Sequence, residues 1–279
     1  MVCCPISIIL SFGAIFLIYK VKQFFTPPSI KPKPPIHKTD FKKDTVYLYQ
    51  FRRLPNCPNM SPFCMKIEII CRIYGINYEA IETTKLRSRN GTLPFIELNG
   101  EHISDSDLIE IRLKKHFNIP SLPVEQEVQA VALSKLADNH LFHVLMRYHC
   151  ADDIFYKTFL DLLDFPSLVI PLALPVMKVL IGGKIYSNSV TAIGDFEPNE
   201  LNELLHRDLQ VVQDTLGQNN YLFGDKLTTA DATVFGQLAA VYYPFRTHLT
   251  DVLEKEFPKI LQYCERVRTA LYPQDFTIA

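Results

Sequence analysis

The chain has 279 residues, 48% of them apolar and 21% charged, which is material for a large core and too little charge for a disordered protein. Its net charge of −1 is unevenly spread: residues 1–43 carry seven lysines against Asp40, a local +6, and the rest of the chain, with 22 basic and 29 acidic residues, stands at −7. This excludes a nucleic-acid-binding body, ten glycines without a repeat exclude collagen-like and low-complexity chains, and seven scattered cysteines fit reduced thiols better than a disulfide framework.

Val2–Tyr19 is uncharged over eighteen residues, which just reaches across a hydrocarbon core of about 30 Å. Basic residues follow this run, and bulky Ile18, Tyr19 and Phe24 occupy the place of a cleavage site, so an uncleaved anchor over residues 1–20 is favoured over a cleaved signal peptide. Lys20, Lys22, Lys31 and Lys33 then place the body on the cytosolic side by the positive-inside rule. Cys3 and Cys4 read as small apolar residues of the anchor or as palmitoylation sites. Residues 21–44 are a basic spacer, with five prolines between Thr26 and Pro35 favouring extended backbone.

The first globular unit is expected over residues 45–119. Thr45–Phe51 reads as a strand, and Ser61-Pro62 opens a helix that Gly75 stops. A short strand follows at Tyr78–Ile81. Thr92–Leu98 and Glu101–Ile103 form a hairpin around Asn99-Gly100, and Asp105 or Ser106 caps a helix to Phe117.

This order, with S-P-F-C at a helix start, T-L-P-F-I before a hairpin and D-S before a helix, resembles the thioredoxin-like domain of glutathione transferases. The strings N-x-S-P-F-C-x-K-x-E, G-T-L-P-F-I-E-L-N-G-E and I-S-D-S are similar to the failed-axon-connections and metaxin-related group. The hydrophobic leader and Pro-rich spacer most resemble the nematode cadmium-responsive lysosomal proteins of that group. The implied fold class is α+β: a thioredoxin-like domain, then an all-α glutathione-transferase C-terminal-like domain over residues 120–279, with the anchor in front.

The resemblance implies glutathione as substrate or ligand, with no metal required. Ser61 stands where a redox member carries its nucleophilic Cys, and a serine there can donate a hydrogen bond to the thiolate of glutathione; the structural alternative is plain N-capping. Tyr49, at the end of the first strand, is the rival hydroxyl by similarity to tyrosine-type transferases. Pro94 matches the cis-proline of the fold, leaving the Leu93 backbone to pair with the cysteinyl unit, and Asp105-Ser106 matches the pair that holds the γ-glutamyl end. Cys57, Cys64 and Cys71 are spaced by seven, and Cys64 and Cys71 fall on one face of the same helix about 10.5 Å apart, too far for two sulfurs to share one ion, so the three read as core cysteines and only as weak metal ligands.

In the second unit Val124–Tyr148 shows helical periodicity through residues 128, 131, 136, 141, 144, 145 and 148. His140, His143, His149, Cys150, Asp152 and Asp153 make a metal site conceivable, but no closed four-ligand motif appears and a helix margin is the favoured reading. Phe165–Ile181, broken by three prolines and charged by Lys178, is expected to be a buried or interfacial kinked segment rather than a second span. Thr228-x-x-Asp231 is a capping box of structural function, and Pro258–Leu271 is the closing helix.

Three functions fit: a membrane-anchored glutathione-transferase-like protein of cadmium or xenobiotic stress and detoxification, with enzyme activity open; a non-catalytic metaxin-like adaptor at a membrane; and direct thiolate sequestration of metal. Expected partners are the membrane, through the N-terminal segment, and no nucleic acid; a homodimer or a membrane complex is left open. The resemblance points to an endomembrane or lysosomal location.

Overall fold

The computed structural model describes residues 32–245 and 248–277; the anchor of residues 1–20 and the spacer up to residue 31 lie outside the described residues. In the body that begins at Pro34, the first half runs β1 (Val46–Gln50), α1 (Pro62–Ile73), β2 (Tyr78–Glu82), β3 (Phe95–Leu98), β4 (Glu101–Ser104) and α2 (Ser106–His116). The sheet order is β2-β1-β3-β4, with β2 parallel to β1 and the two later pairings antiparallel. All five residues of β1 are buried because the strand is central and covered on both faces. Asn99 and Gly100, both at positive φ, make the tight turn between β3 and β4.

Folded structure starts before β1. Glu97 of β3 accepts the backbone N–H groups of His37 and Lys38, each at 2.8 Å, and the Lys42 N–H donates to the Tyr47 hydroxyl at 2.9 Å. Residues 37–42, which follow the prolines, are thereby strapped to the sheet.

The helical half runs α3 (Val124–Lys135), which passes through a π turn at Leu136–Leu141 into α4 (Phe142–His149), then α5 (Asp153–Leu162), α6 (Ile170–Met177), a second π turn, α7 (Gly183–Ile193), α8 (Pro198–Leu216), α9 (Thr229–Tyr242), α10 (His248–Glu256) and α11 (Pro258–Leu271). The buried stripe of α3–α4 is Ala130, Leu133, Ala137, Leu141 and Val144, so Val128 and Val131, expected on the same face, point to solvent instead. Helix α9 is buried from Thr229 to Val241 and lies across α1. Gly236 lets the two helices meet: a Cβ there would stand 3.0 Å from the Pro62 carbonyl oxygen and 3.4 Å from the Lys66 nitrogen.

The start of α9 is built as its sequence signals. Thr228 Oγ1 accepts from the Asp231 N–H at 3.4 Å, and the Asp231 carboxylate takes the Thr228 N–H and hydroxyl, both at 2.8 Å. The same carboxylate accepts the Leu222 N–H at 3.0 Å and the Tyr263 hydroxyl at 3.1 Å, which joins the preceding loop, α9 and α11.

Of the two places expected for the kinked segment, buried or interfacial, the structure excludes the buried one. Residues 170–193 form one continuous helical stretch of 24 residues, long and apolar enough by length and composition to cross a membrane. Pro171 is accommodated in its first turn, where no intrahelical donor is required. No residue of α6 is buried.

Candidate functional site

Strand pairing decides which residues meet. Tyr49, near the C-terminal end of β1, is opposite Phe95 at the N-terminal end of β3, and Phe95 is opposite Ser104 at the C-terminal end of β4. The loop leaving β1 toward Ser61, the Leu93-Pro94 pair entering β3 and the Asp105-Ser106 pair leaving β4 therefore lie at one end of the sheet. A salt bridge fixes the two helix starts there: Lys66, in the second turn of α1, reaches Asp107 in the first turn of α2 at 3.0 Å.

Ser61 is the N-cap of α1, and its Oγ accepts the Cys64 N–H at a long 3.4 Å. The dipole of the helix gives this end partial positive charge that favours an anion. Asn59, buried and given no role in the sequence reading although it opens the N-x-S string, holds the approach: its side chain donates to the Phe51 carbonyl at 2.7 Å and accepts the Ser61 N–H at 3.0 Å. Leu93–Pro94 is a cis peptide bond, and among the described residues no backbone bond takes the Leu93 N–H or C=O.

Asp105 sits at φ +79°, where a non-glycine residue is strained, while its carboxylate caps α2 by accepting the N–H groups of Asp107 at 3.0 Å and Leu108 at 3.3 Å. Asp105 is exposed and Ser106 behind it is buried. The pair thus presents a carboxylate and a hydroxyl at a helix start whose Asp107 and Leu108 N–H groups Asp105 itself holds.

Tyr49 is placed differently. It is buried, stacked on Phe95 with ring centroids 4.3 Å apart, and donates its hydroxyl to Glu97 at 3.0 Å. Burial, reinforced by the Glu97 carboxylate, pushes the phenol well above its ordinary range. Its proton is committed within the sheet.

Cys57, Cys64 and Cys71 are all buried and free. Burial pushes Cys57 and Cys64 up to about 12, and for Cys64 it outweighs the helix N-terminus that would otherwise favour a thiolate. Cys64 packs with Tyr49 and Phe95, whereas Cys57 and Cys71 belong to the main core. Among the described residues no group of three or more His, Cys, Asp or Glu could hold a metal ion. The histidines of the second half are dispersed: His140 bonds Asp208 at 2.5 Å, His143 bonds Ser189 at 3.3 Å, and His149 is enclosed by Phe155 and Phe245.

Beneath the start of α1, the helical half contributes Phe142, Met146, Phe155 and Phe245 around Met60 and Pro62, and the space left among them is about 10 Å³, no more than one water. Wider clefts lie elsewhere, one of about 750 Å³ between α3 and α8 and one of about 470 Å³ between α2 and α3.

Known proteins share this architecture. The glutathione S-transferase N-terminal domain matches residues 62–155 and the glutathione S-transferase C-terminal domain matches residues 205–267. Failed axon connections from Drosophila melanogaster is 31% identical over 253 residues, covering 85% of this chain; the chain spans 60% of that protein's length. The isoprene-epoxide glutathione S-transferase of Rhodococcus sp. (strain AD45) is 23% identical, covering 76% of this chain and 92% of its own. Among solved structures, glutathione transferase GSTFuA3 of Phanerochaete chrysosporium superposes with a TM-score of 0.57 at 15% identity over 82% of this chain and 98% of that one. A glutathione S-transferase of Ceriporiopsis subvermispora in complex with glutathione gives 0.55 at 17% identity, over 82% and 99%.

Proposed function

The chain belongs to the glutathione S-transferase family, with both of its domains and with Failed axon connections among its relatives, and from that premise we propose that the sheet end carrying Ser61, Leu93-Pro94 and Asp105-Ser106 binds glutathione or a related γ-glutamyl thiol. The observation that carries this reading is the strand register, which brings three positions from distant parts of the sequence to one place. The Leu93 N–H and C=O pair with the cysteinyl backbone, Asp105 takes the γ-glutamyl amine, and Ser106 with the start of α2 takes its carboxylate. Ser61 and the first turn of α1 face the thiol, whose ionised form they favour.

The rest of the reading places this site on a membrane. Val2–Tyr19 anchors the chain, the lysines after it hold the body on the cytosolic face of an endomembrane, and thiol binding serves the response to cadmium and xenobiotics. Calorimetry on the full chain in detergent micelles, titrated to millimolar glutathione, tests the site. Heat that is lost in Asp105→Ala supports it, and a chain that takes up no glutathione removes it. Turnover lost in Ser61→Ala and kept in Tyr49→Phe assigns the thiol to the serine; the reverse pattern assigns it to the tyrosine.

A second reading, the non-catalytic adaptor, is favoured by one observation. The apolar side of Ser61, where the helical half would receive a second substrate, is filled by Met60, Phe142, Met146 and Phe155. On this reading glutathione binds with heat while no electrophile is turned over, by wild type or by Phe142→Ala.

A further inference from the structure

Residues 156–204 fall between the two domain matches, at 62–155 and 205–267, and they contain the apolar helical stretch. That stretch has two apolar faces. Leu174, Met177, Ile181 and Ile185, spaced as one side of a helix, pack against the cluster of Phe155, Tyr156 and Phe245. Leu172, Val176, Val179 and Leu180 occupy the other side and face outward, with Leu172 79% exposed, Val179 74%, and Leu168 just ahead of the helix 92%.

A helix apolar all round belongs in a core or against lipid, and a row of exposed side chains this size is not surplus surface. We infer that this outer face of α6 and its following π turn rests on the surface of a phospholipid bilayer, with the leucines and valines in the acyl boundary. Charge argues for lipid over a second copy of the chain. Between Asp164 and Asp195 the sequence has no acidic residue and two lysines, and with Lys178 held by Asp153 the stretch presents a net +1 at Lys184 on a body that is otherwise acidic. Lys184 is exposed beside the ridge, placed for anionic headgroups.

The stretch lies on the membrane and does not cross it, because it is fixed to the body along its length. Gly182 is buried under Tyr156, where a Cβ would meet the Tyr156 hydroxyl; Ser189 is buried and bonded to His143; and Tyr186 donates to Asp195 at 2.7 Å and carries the Arg147 guanidinium at 4.2 Å from its ring centroid. These contacts leave one side free for lipid and none for encirclement.

The ridge belongs to the body's own surface, and its contact with lipid is separable from that of the N-terminal anchor. The sequence contains no tryptophan, so single insertions report on a dark background. Phe16→Trp, Leu172→Trp and Val124→Trp are each introduced into the full chain and reconstituted with vesicles of phosphatidylcholine and phosphatidylserine containing brominated lipid. Val124, 81% exposed on α3, is the control.

Emission from Leu172→Trp is expected to shift to the blue and to be quenched by brominated lipid, while that from Val124→Trp stays open to aqueous iodide. Quenching of Leu172→Trp is expected to weaken with phosphatidylcholine alone and with Lys184→Glu. Quenching of Phe16→Trp without any at Leu172→Trp overturns the proposal and leaves the anchor standing; the opposite pattern removes the anchor and keeps the ridge. A blue shift at Leu172→Trp that brominated lipid does not quench, and that vanishes on dilution in detergent, makes the face a contact between copies and overturns the lipid assignment.

Discussion

Lys66 Nζ lies 2.9 Å from Asp138, which sits in the π turn between α3 and α4, so a cation carried by the first half of the body is neutralised by the second. The same ammonium meets Asp107 at 3.0 Å and Glu110 at 3.1 Å, and Asp138 is held from its other side by the Gln237 amide at 3.0 Å. Burial alone would lower the lysine, but the three carboxylates outweigh it and hold the group charged. Lys66→Met strands Asp138 as an unpaired buried carboxylate, and truncating one partner of such a pair costs about 3–5 kcal/mol. The expected result is a large fall in the urea midpoint, partly recovered in Lys66→Met/Asp138→Leu, where both charges are gone. Equal midpoints for the single and double variants would show that the pairing contributes nothing.

Gly236 is the second junction between the halves. Its missing Cβ leaves room for the Pro62 carbonyl, and because the opposing atoms are backbone neither can swing aside. Gly236→Ala should separate α9 from α1 at a cost of about 1–3 kcal/mol, the usual range for overpacking. Pro62 follows Ser61 directly, so the same variant should weaken glutathione binding in calorimetry more than a surface substitution such as Val124→Ala.

At the head of α9 the two residues of the capping box differ in worth. Thr228→Ala removes one cap and should cost about 0.5–2 kcal/mol. Asp231→Ala leaves the N–H groups of Leu222 and Thr228 and the hydroxyl of Tyr263 without their acceptor inside the core, and at about 1–3 kcal/mol per buried orphan it should lower stability by more than about 3 kcal/mol. Thermal melts of the two variants side by side check the order; a Thr228→Ala midpoint below that of Asp231→Ala contradicts it.

What could be read before folding follows from distance along the chain. Ser61-Pro62, Asn99-Gly100 and Thr228-x-x-Asp231 act within three residues, and each stands where its chemistry puts it. Lys66 and Glu68 could not be read: in an apolar helix they suggest a solvated edge, yet both are buried because sheet and α9 cover α1 on two sides, and the partners of Lys66 come from 41 to 72 residues away. Asn59 was visible as part of a string, but its work depends on the Phe51 carbonyl at the end of β1. Tyr49 matched a motif position, and only the arrival of Glu97 on the neighbouring strand shows where its proton goes. Pro166, Pro171 and Pro175 read as breaks in residues 165–181, whereas Pro166 precedes the helix, Pro171 falls in its first turn and Pro175 is carried inside it ahead of the π turn at Lys178–Gly182, and the helical stretch continues to Ile193.

His149 makes stability depend on mild acid. Its ring lies 5.3 Å from Phe155 and 4.9 Å from Phe245, and burial in this aromatic wall pulls the imidazole down to about 4. In the unfolded chain the same group takes its proton near pH 6.5. Below that pH the unfolded state binds a proton that the native state refuses, so the contribution is intact above about pH 6.5 and is lost as pH falls toward 4, by about 3 kcal/mol in all. His143, lowered by burial, works in the same sense, and His206, raised through Asn202 and Glu256, works in the opposite one, so the contrast between wild type and a single variant isolates His149. His149→Phe keeps the aromatic packing and removes the proton. Its urea midpoint should stay nearly level from pH 7 to 5 while that of wild type falls, and parallel slopes for the two proteins would show that the native pocket accepts the charge.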